Sequence, residues 1–280
     1  MNKIISTLIL CFALPILLGT ASAQAKNGGK TDVFICTYNI RGDLPADTAT
    51  VNDWRLRRDS LCKIVNTNDF DIVCMQEVQA AQLEDILERT KYSFVGTRGL
   101  FNPILYKAEK YELMHTETFW LSESMVPFSN GWDGKYDRYC IWARFRDRKT
   151  GQEFTVFNVH LDHRGVLARS EGAELLSAQA EKFSVGVPMF ICGDMNCTDD
   201  TDAYKNYTKH FSDSRKVAEK VSGEVGTAHN FGKVTPVRID YIFINDRVKV
   251  LSYDIDAIRY PNGMYPSDHR PVFIKAVMTK

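Results

Sequence analysis

The chain has 280 residues, 44% of them hydrophobic, and its 35 basic residues balance 35 acidic ones. That length and apolar content can build a substantial core, in one large domain or two small ones, and exclude a disordered or fibrous chain. The zero formal charge offers no electrostatic case for a dedicated binder of nucleic acid or another polyanion.

In chain order, the first feature is Lys3, then an apolar run from Ile4 to Leu18, then Ala21-Ser22-Ala23. This is the layout of a signal peptide, 1–23, cut after Ala23, which predicts export to the periplasm or the extracellular space. The apolar run is shorter than the roughly 20 residues a bilayer span needs, which argues against a retained anchor. Leu10 before Cys11 is not the small residue a lipid-attachment site requires. Loss of Lys3 leaves 34 basic against 35 acidic residues. Residues 24–31 read as a flexible start, and 32–280 as one domain with no transmembrane segment and no mark of an obligate protein partner.

The first strand, Val33–Tyr38, ends at Asn39. A helical pattern over Trp54–Val65 follows, then a strand Ile72–Met75 that runs through Gln76 to Glu77. Leu83–Leu87 reads as helix and Ile104–Tyr106 as strand. Ile141–Phe145 and Phe154–Val159 follow one another directly, which predicts an antiparallel pair, and the second delivers His160, Asp162 and His163. Ala168, Leu175, Leu176 and Phe183 mark one face of a third helix. Met189–Cys192 leads into Gly193-Asp194-Met195-Asn196, Ile239–Ile244 carries Asp240, and Ser267-Asp268-His269 precedes a last strand, Val272–Val277. Strands and helices that alternate only in part predict a mixed α/β architecture with two sheets.

Several strands thus end in a residue able to do chemistry, and loops fixed by rigid strands are where sites are commonly built. Each residue alone has a plainer explanation: Asn and Asp are common turn residues, Glu77 suits a helix N-terminus, and either histidine suits a structural hydrogen bond. Their conjunction carries the argument. Cys36, Cys74, Cys140 and Cys192 sit in apolar runs, so of the six cysteines after the signal most read as free, buried thiols.

Six ordered signatures, Thr37-Tyr38-Asn39-Ile40, Met75-Gln76-Glu77-Val78, Asn158-Val159-His160-Leu161-Asp162, Gly193-Asp194-Met195-Asn196, Ile239-Asp240-Tyr241-Ile242 and Ser267-Asp268-His269-Arg270-Pro271-Val272, give the chain a resemblance to the endonuclease/exonuclease/phosphatase superfamily. The exported bacterial type is the nearest likeness. The resemblance implies a deoxyribonuclease I-like, four-layer α/β/β/α sandwich of two mixed β-sheets flanked by helices, and hydrolysis of phosphoesters with magnesium or manganese.

Magnesium prefers oxygen ligands and few protein carboxylates. Glu77 is the expected ligand, with Asn39 supporting the metal water shell or a phosphate oxygen. In the pattern the resemblance implies, Asp194 orients and deprotonates water, Asn196 and His160 bond phosphate oxygens, and His269 contacts the scissile phosphate with Asp240 holding its imidazole. Asp268 faces a second metal or supports the His269 loop, two readings left open. Arg138, in the aromatic segment Phe119–Tyr139, is a candidate substrate group, as are Asp162 and Arg169. Leu100 stands where similar exported proteins often carry an acid. A small or extracellular phosphoester is the favoured substrate. A secreted nuclease, a sphingomyelinase-like enzyme and a noncatalytic phosphate-binding module are the alternatives.

Overall fold

A computed structural model describes residues 30–97, 99–256 and 264–279. The expected signal peptide lies outside the described residues. In chain order the elements are β1 (Thr31–Asn39), α1 (Trp54–Asn68), β2 (Ile72–Gln76), α2 (Ala80–Arg89), β3 (Ser93–Val95), β4 (Ile104–Tyr106), β5 (Tyr111–Trp120), β6 (Tyr139–Asp147), β7 (Glu153–His160), α3 (Val166–Phe183), β8 (Met189–Asp194), α4 (Asp202–Thr208), β9 (Ser212–Asp213), α5 (Ser214–Val217), β10 (Lys220–Gly223), β11 (Asp240–Ile244), β12 (Val248–Ile255) and β13 (Val272–Met278).

The strands form a seven-stranded sheet, β10-β12-β13-β1-β2-β4-β3, and a six-stranded sheet, β5-β6-β7-β8-β11-β9. Each mixes parallel pairs (β1 with β2, β7 with β8) with antiparallel ones. Side chains alternate along each strand, so one face of each sheet meets the other sheet and the opposite face meets helices. Val33, Ile35, Ile72, Cys74 and Ile274 of the first sheet share one cluster with Ile141, Phe154, Val156, Phe190, Cys192 and Ile242 of the second. Cys36, Tyr38, Val73 and Met75 turn outward against α1 and α2, while Phe157, Val159, Met189, Ile191 and Phe243 pack with α3 and α4. This is the expected four-layer sandwich.

The third helix differs in detail from its expected face. Its buried stripe is Leu176 with the small residues Ala168, Gly172, Ala173, Ser177 and Ala180, which let α3 lie close to Leu121 and Leu161, and Leu175 and Phe183 sit at the margin. The described cysteines are all buried and unbridged, as expected.

Candidate active site

The alternation that builds the core also builds the site. On β1, Val33 and Ile35 face the other sheet, and two steps of two bring Thr37 and Asn39 to the same face. The same count on β7 runs from Phe154 and Val156 to Asn158 and His160, on β8 from Phe190 and Cys192 to Asp194, and on β11 from Ile244 and Ile242 back to Asp240. Strand pairing then sets these ends level: His160 pairs with Asp194, Asp194 with Asp240, and Asn39 with Gln76. His269 immediately precedes β13, which runs antiparallel to β1, and so joins the same edge.

Beneath this edge a buried polar bridge ties the sheets together. Gln76 Nε2 donates to Thr37 Oγ1 at 3.0 Å and to Asn158 Oδ1 at 2.8 Å, and Asn158 Nδ2 donates to the carbonyls of Met75, Asn102 and Pro103. Glu77 is the next residue after β2 and takes a left-handed conformation, φ 64°, which re-aims its side chain. Gly193 has no alternative, since a Cβ there would stand 2.0 Å from the Val159 carbonyl oxygen.

Asn39 links two acids, donating from Nδ2 to Glu77 Oε1 and to Asp194 Oδ2, both at 3.0 Å. Its Oδ1 accepts the Arg41 N–H at 3.0 Å. The amide nitrogen of Asn39 thus faces the two acids and its oxygen the Arg41 N–H. The other Glu77 oxygen accepts Gly42 N–H at 3.0 Å. Burial works to raise the Glu77 carboxyl, but the neighbouring imidazole of His160 and these two N–H donors outweigh it and hold it at about 2.

On the other side of Asn39, His269 Nδ1 lies 2.9 Å from Asp240 Oδ2, and its Nε2 is 3.8 Å from Asp194 Oδ2. His160 Nε2 is 3.5 Å from the same Asp194 oxygen. Burial, with the Asp240 charge behind it, pushes the Asp194 carboxyl up to about 7. Burial alone would lower His269, but Asp240 and Asp194 raise it well above the ordinary imidazole value. His160 is lowered to about 3 by burial and by the Arg138 charge, which outweigh the raising charge of Glu77. The two histidines therefore divide into a proton-holding and a neutral one.

Asn196 N–H donates to Asp194 Oδ1 at 2.9 Å and its side-chain amide to the Leu161 carbonyl at 2.9 Å, which leaves the second amide N–H for a ligand oxygen. Asp268 lies 3.4 Å from Arg41 Nη1, while Ser267 Oγ donates to the Asn39 carbonyl at 2.7 Å and accepts the His269 N–H.

Two candidate substrate groups prove to have scaffold tasks. Asp162 Oδ2 accepts the backbone N–H groups of Lys135 and Tyr136, and its Oδ1 those of Arg164 and Gly165. An acceptor with four backbone donors clamps two loops and is no ligand for an anion, so its placement among phosphate-binding residues is corrected. Arg169 Nη1 donates to the Asp162 carbonyl at 2.9 Å and braces the same turn. Arg138 keeps its place at the mouth, half-buried, its Nε 3.8 Å from Asp162. Leu100 packs against the inter-sheet core.

Sequence reading missed Arg57. Its buried guanidinium donates to the carbonyls of Asn52, Ile40, Arg41 and Pro266, at 2.6, 2.9, 3.2 and 2.6 Å, and so ties the loop after Asn39 to the loop before His269. A buried arginine one helical turn from a tryptophan carries no signal of such distant acceptors.

The donor set suits a divalent cation. Glu77, Asp194, Asp240 and Asp268 crowd one buried edge, and both Asp194 and Asp268 are raised by burial and by a neighbouring acid, an excess of negative charge that a cation neutralises. Asp194, Asp240 and His269 offer ligand atoms within 4.8 Å of one another. There, however, the imidazole is already paired with Asp240, whereas both Glu77 oxygens retain lone pairs beyond their single N–H partners.

A deoxyribonuclease I-like sandwich with carboxylates, amides and imidazoles gathered at one edge defines a class of phosphoester hydrolases. The chain belongs to the endonuclease/exonuclease/phosphatase family, whose model matches residues 36–269. It is 34% identical to the endonuclease/exonuclease/phosphatase from Bacteroides vulgatus, with a TM-score of 0.84 over 89% of this chain and 100% of that one. It is 31% identical to a mannosyl-6-phosphatase from Bacteroides thetaiotaomicron, with a TM-score of 0.83 over 88% and 100% of the two chains. Among curated relatives, an uncharacterized protein of Acanthamoeba polyphaga mimivirus is 28% identical over 80% of this chain and 92% of that protein.

Proposed function

We propose that the chain is an exported, magnesium-dependent phosphomonoesterase acting on small phosphoesters. The observation that carries this is the pairing of a base-like Asp194 with an imidazole held by Asp240, set across Asn39 from the anionic Glu77. When bound at Glu77, the ion supplies positive charge to the phosphoryl oxygens. Asp194 takes a proton from water whose oxygen forms the new P–O bond. His269, kept protonated by Asp240, and the second N–H of Asn196 hold the phosphoryl oxygens during attack. The ester P–O bond breaks and the leaving oxygen takes a proton from solvent, giving an alcohol and inorganic phosphate.

Two observations favour a small substrate over nucleic acid. The charge is balanced, where phosphate-backbone binding draws its affinity from Lys and Arg. The similarity to a mannosyl-6-phosphatase puts sugar phosphates first among compounds to test. Phosphate release should be assayed with hexose and inositol phosphates, and diester cleavage followed separately as phosphocholine from sphingomyelin and shortened strands from DNA and RNA, each with and without magnesium. Magnesium-dependent release from small monoesters supports the reading, and cleavage confined to the nucleic acids or the lipid would refute it.

A further inference from the structure

The loop 131–138 and the turn after His160 present a strip of side chains that the chemistry above does not use. Tyr136 is 45% exposed. Its ring stacks on that of exposed His163, with centroids 5.3 Å apart and planes at 29°. The Arg138 guanidinium lies 5.5 Å and Lys135 Nζ 5.6 Å from the Tyr136 ring centroid. Arg138 directly precedes β6, whose Cys140 pairs with Val159, so it stands at the edge that carries His160. The strip therefore runs outward from the reacting centre.

Packing does not account for Tyr136. Trp120 and Tyr139 of the same segment are core walls, buried against one another with centroids 5.7 Å apart, and exposed Phe128 packs on Trp120, away from the Tyr136–His163 pair. Tyr136 is held in the open by its backbone, because Asp162 Oδ2 accepts the N–H groups of Lys135 and Tyr136 while Oδ1 accepts those of Arg164 and Gly165. That one carboxylate fixes the two loops side by side and so brings the rings together. Asp133 anchors the same loop to α3 through the N–H groups of Leu167 and Ala168. A pre-ordered aromatic surface rimmed by cations loses little freedom when a ligand settles on it.

From this arrangement we infer that Tyr136 and His163, flanked by Arg138 and Lys135, form the subsite for the leaving group, and that its occupant is a hexose ring. A pyranose face bears C–H groups that pack on an aromatic ring, and its rim bears hydroxyls that accept from guanidinium and ammonium donors. The inference rests on the phosphomonoesterase reading above.

The test compares kcat/KM for a hexose 6-phosphate with that for glycerol phosphate, which has no ring. The hexose-to-glycerol ratio should fall about 10-fold in Tyr136→Ala and in the same direction in His163→Ala, the scale of one aromatic contact. Tyr136→Phe should keep the wild-type ratio, since the ring and not the hydroxyl makes the contact. An unchanged ratio in both alanine variants overturns the subsite and leaves the phosphomonoesterase intact. A fall confined to a nucleoside 5′-monophosphate assayed alongside overturns the hexose assignment. Failure of the unaltered enzyme to hydrolyse any of the three overturns both readings together.

Discussion

Asp240 is buried, with one carboxylate oxygen on His269 and the other without a hydrogen-bond partner, so its charge acts chiefly through the imidazole. Because His269 is raised in the folded protein, the pair contributes stability in full below the ordinary imidazole value and loses it only as pH rises through the raised one. In Asp240→Asn the largest raising charge is gone while burial still lowers the ring and Asp194 only partly offsets it. NMR titration of the imidazole should therefore show His269 losing its proton at lower pH in the variant than in the wild type. Phosphate release should fall by about 100-fold, the usual scale of a lost acid–base partner. At this scale much of the site was legible, because Asn39, Glu77, His160, Asp194, Asn196, Asp240 and His269 each stand at a strand end or in the turn beside one. Asp162 was misjudged because its partners are backbone groups, which no residue type announces. Arg57 was invisible for the same reason.

Among the elements, the β7–β8 contact is the most constrained. Ala at Gly193 would drive its Cβ into the Val159 carbonyl and push apart the strands that hold His160 and Asp194. Urea unfolding of Gly193→Ala should show a loss of at least about 1–3 kcal/mol, the cost of overpacking, together with loss of activity. Arg57→Met should likewise destabilise, because it takes a donor from four carbonyls, of which, among the described residues, only that of Arg41 keeps another in Gln82 Nε2, and Arg57→Lys should recover only part of the loss. The strands whose apolar runs face the core were legible. β5 was not, being an edge strand whose middle, from Met114 to Glu117, is exposed and polar. β12 shifts its alternation at a bulge between Val250 and Ser252, and β3, β9 and β10 are too short to show a period.

For the whole molecule, the order of signatures along the chain specified the sandwich, because strand parity and the family pattern demand the same inward-facing residues. No helix among the described residues is long and apolar enough to cross a membrane. If 1–23 is a cleaved signal, N-terminal sequencing of the protein recovered from outside the cytoplasm should begin at Gln24. The central claim is that a metal-assisted phosphoester hydrolase is assembled where the two sheets meet, with Asp194 as its base. It is tested most directly by phosphate release from a hexose phosphate, using metal-stripped enzyme with and without added magnesium, for wild type and Asp194→Asn. The account predicts that release requires the metal and falls at least about 100-fold in the variant. Equal release from the variant, or full activity in the metal-stripped enzyme, would contradict it.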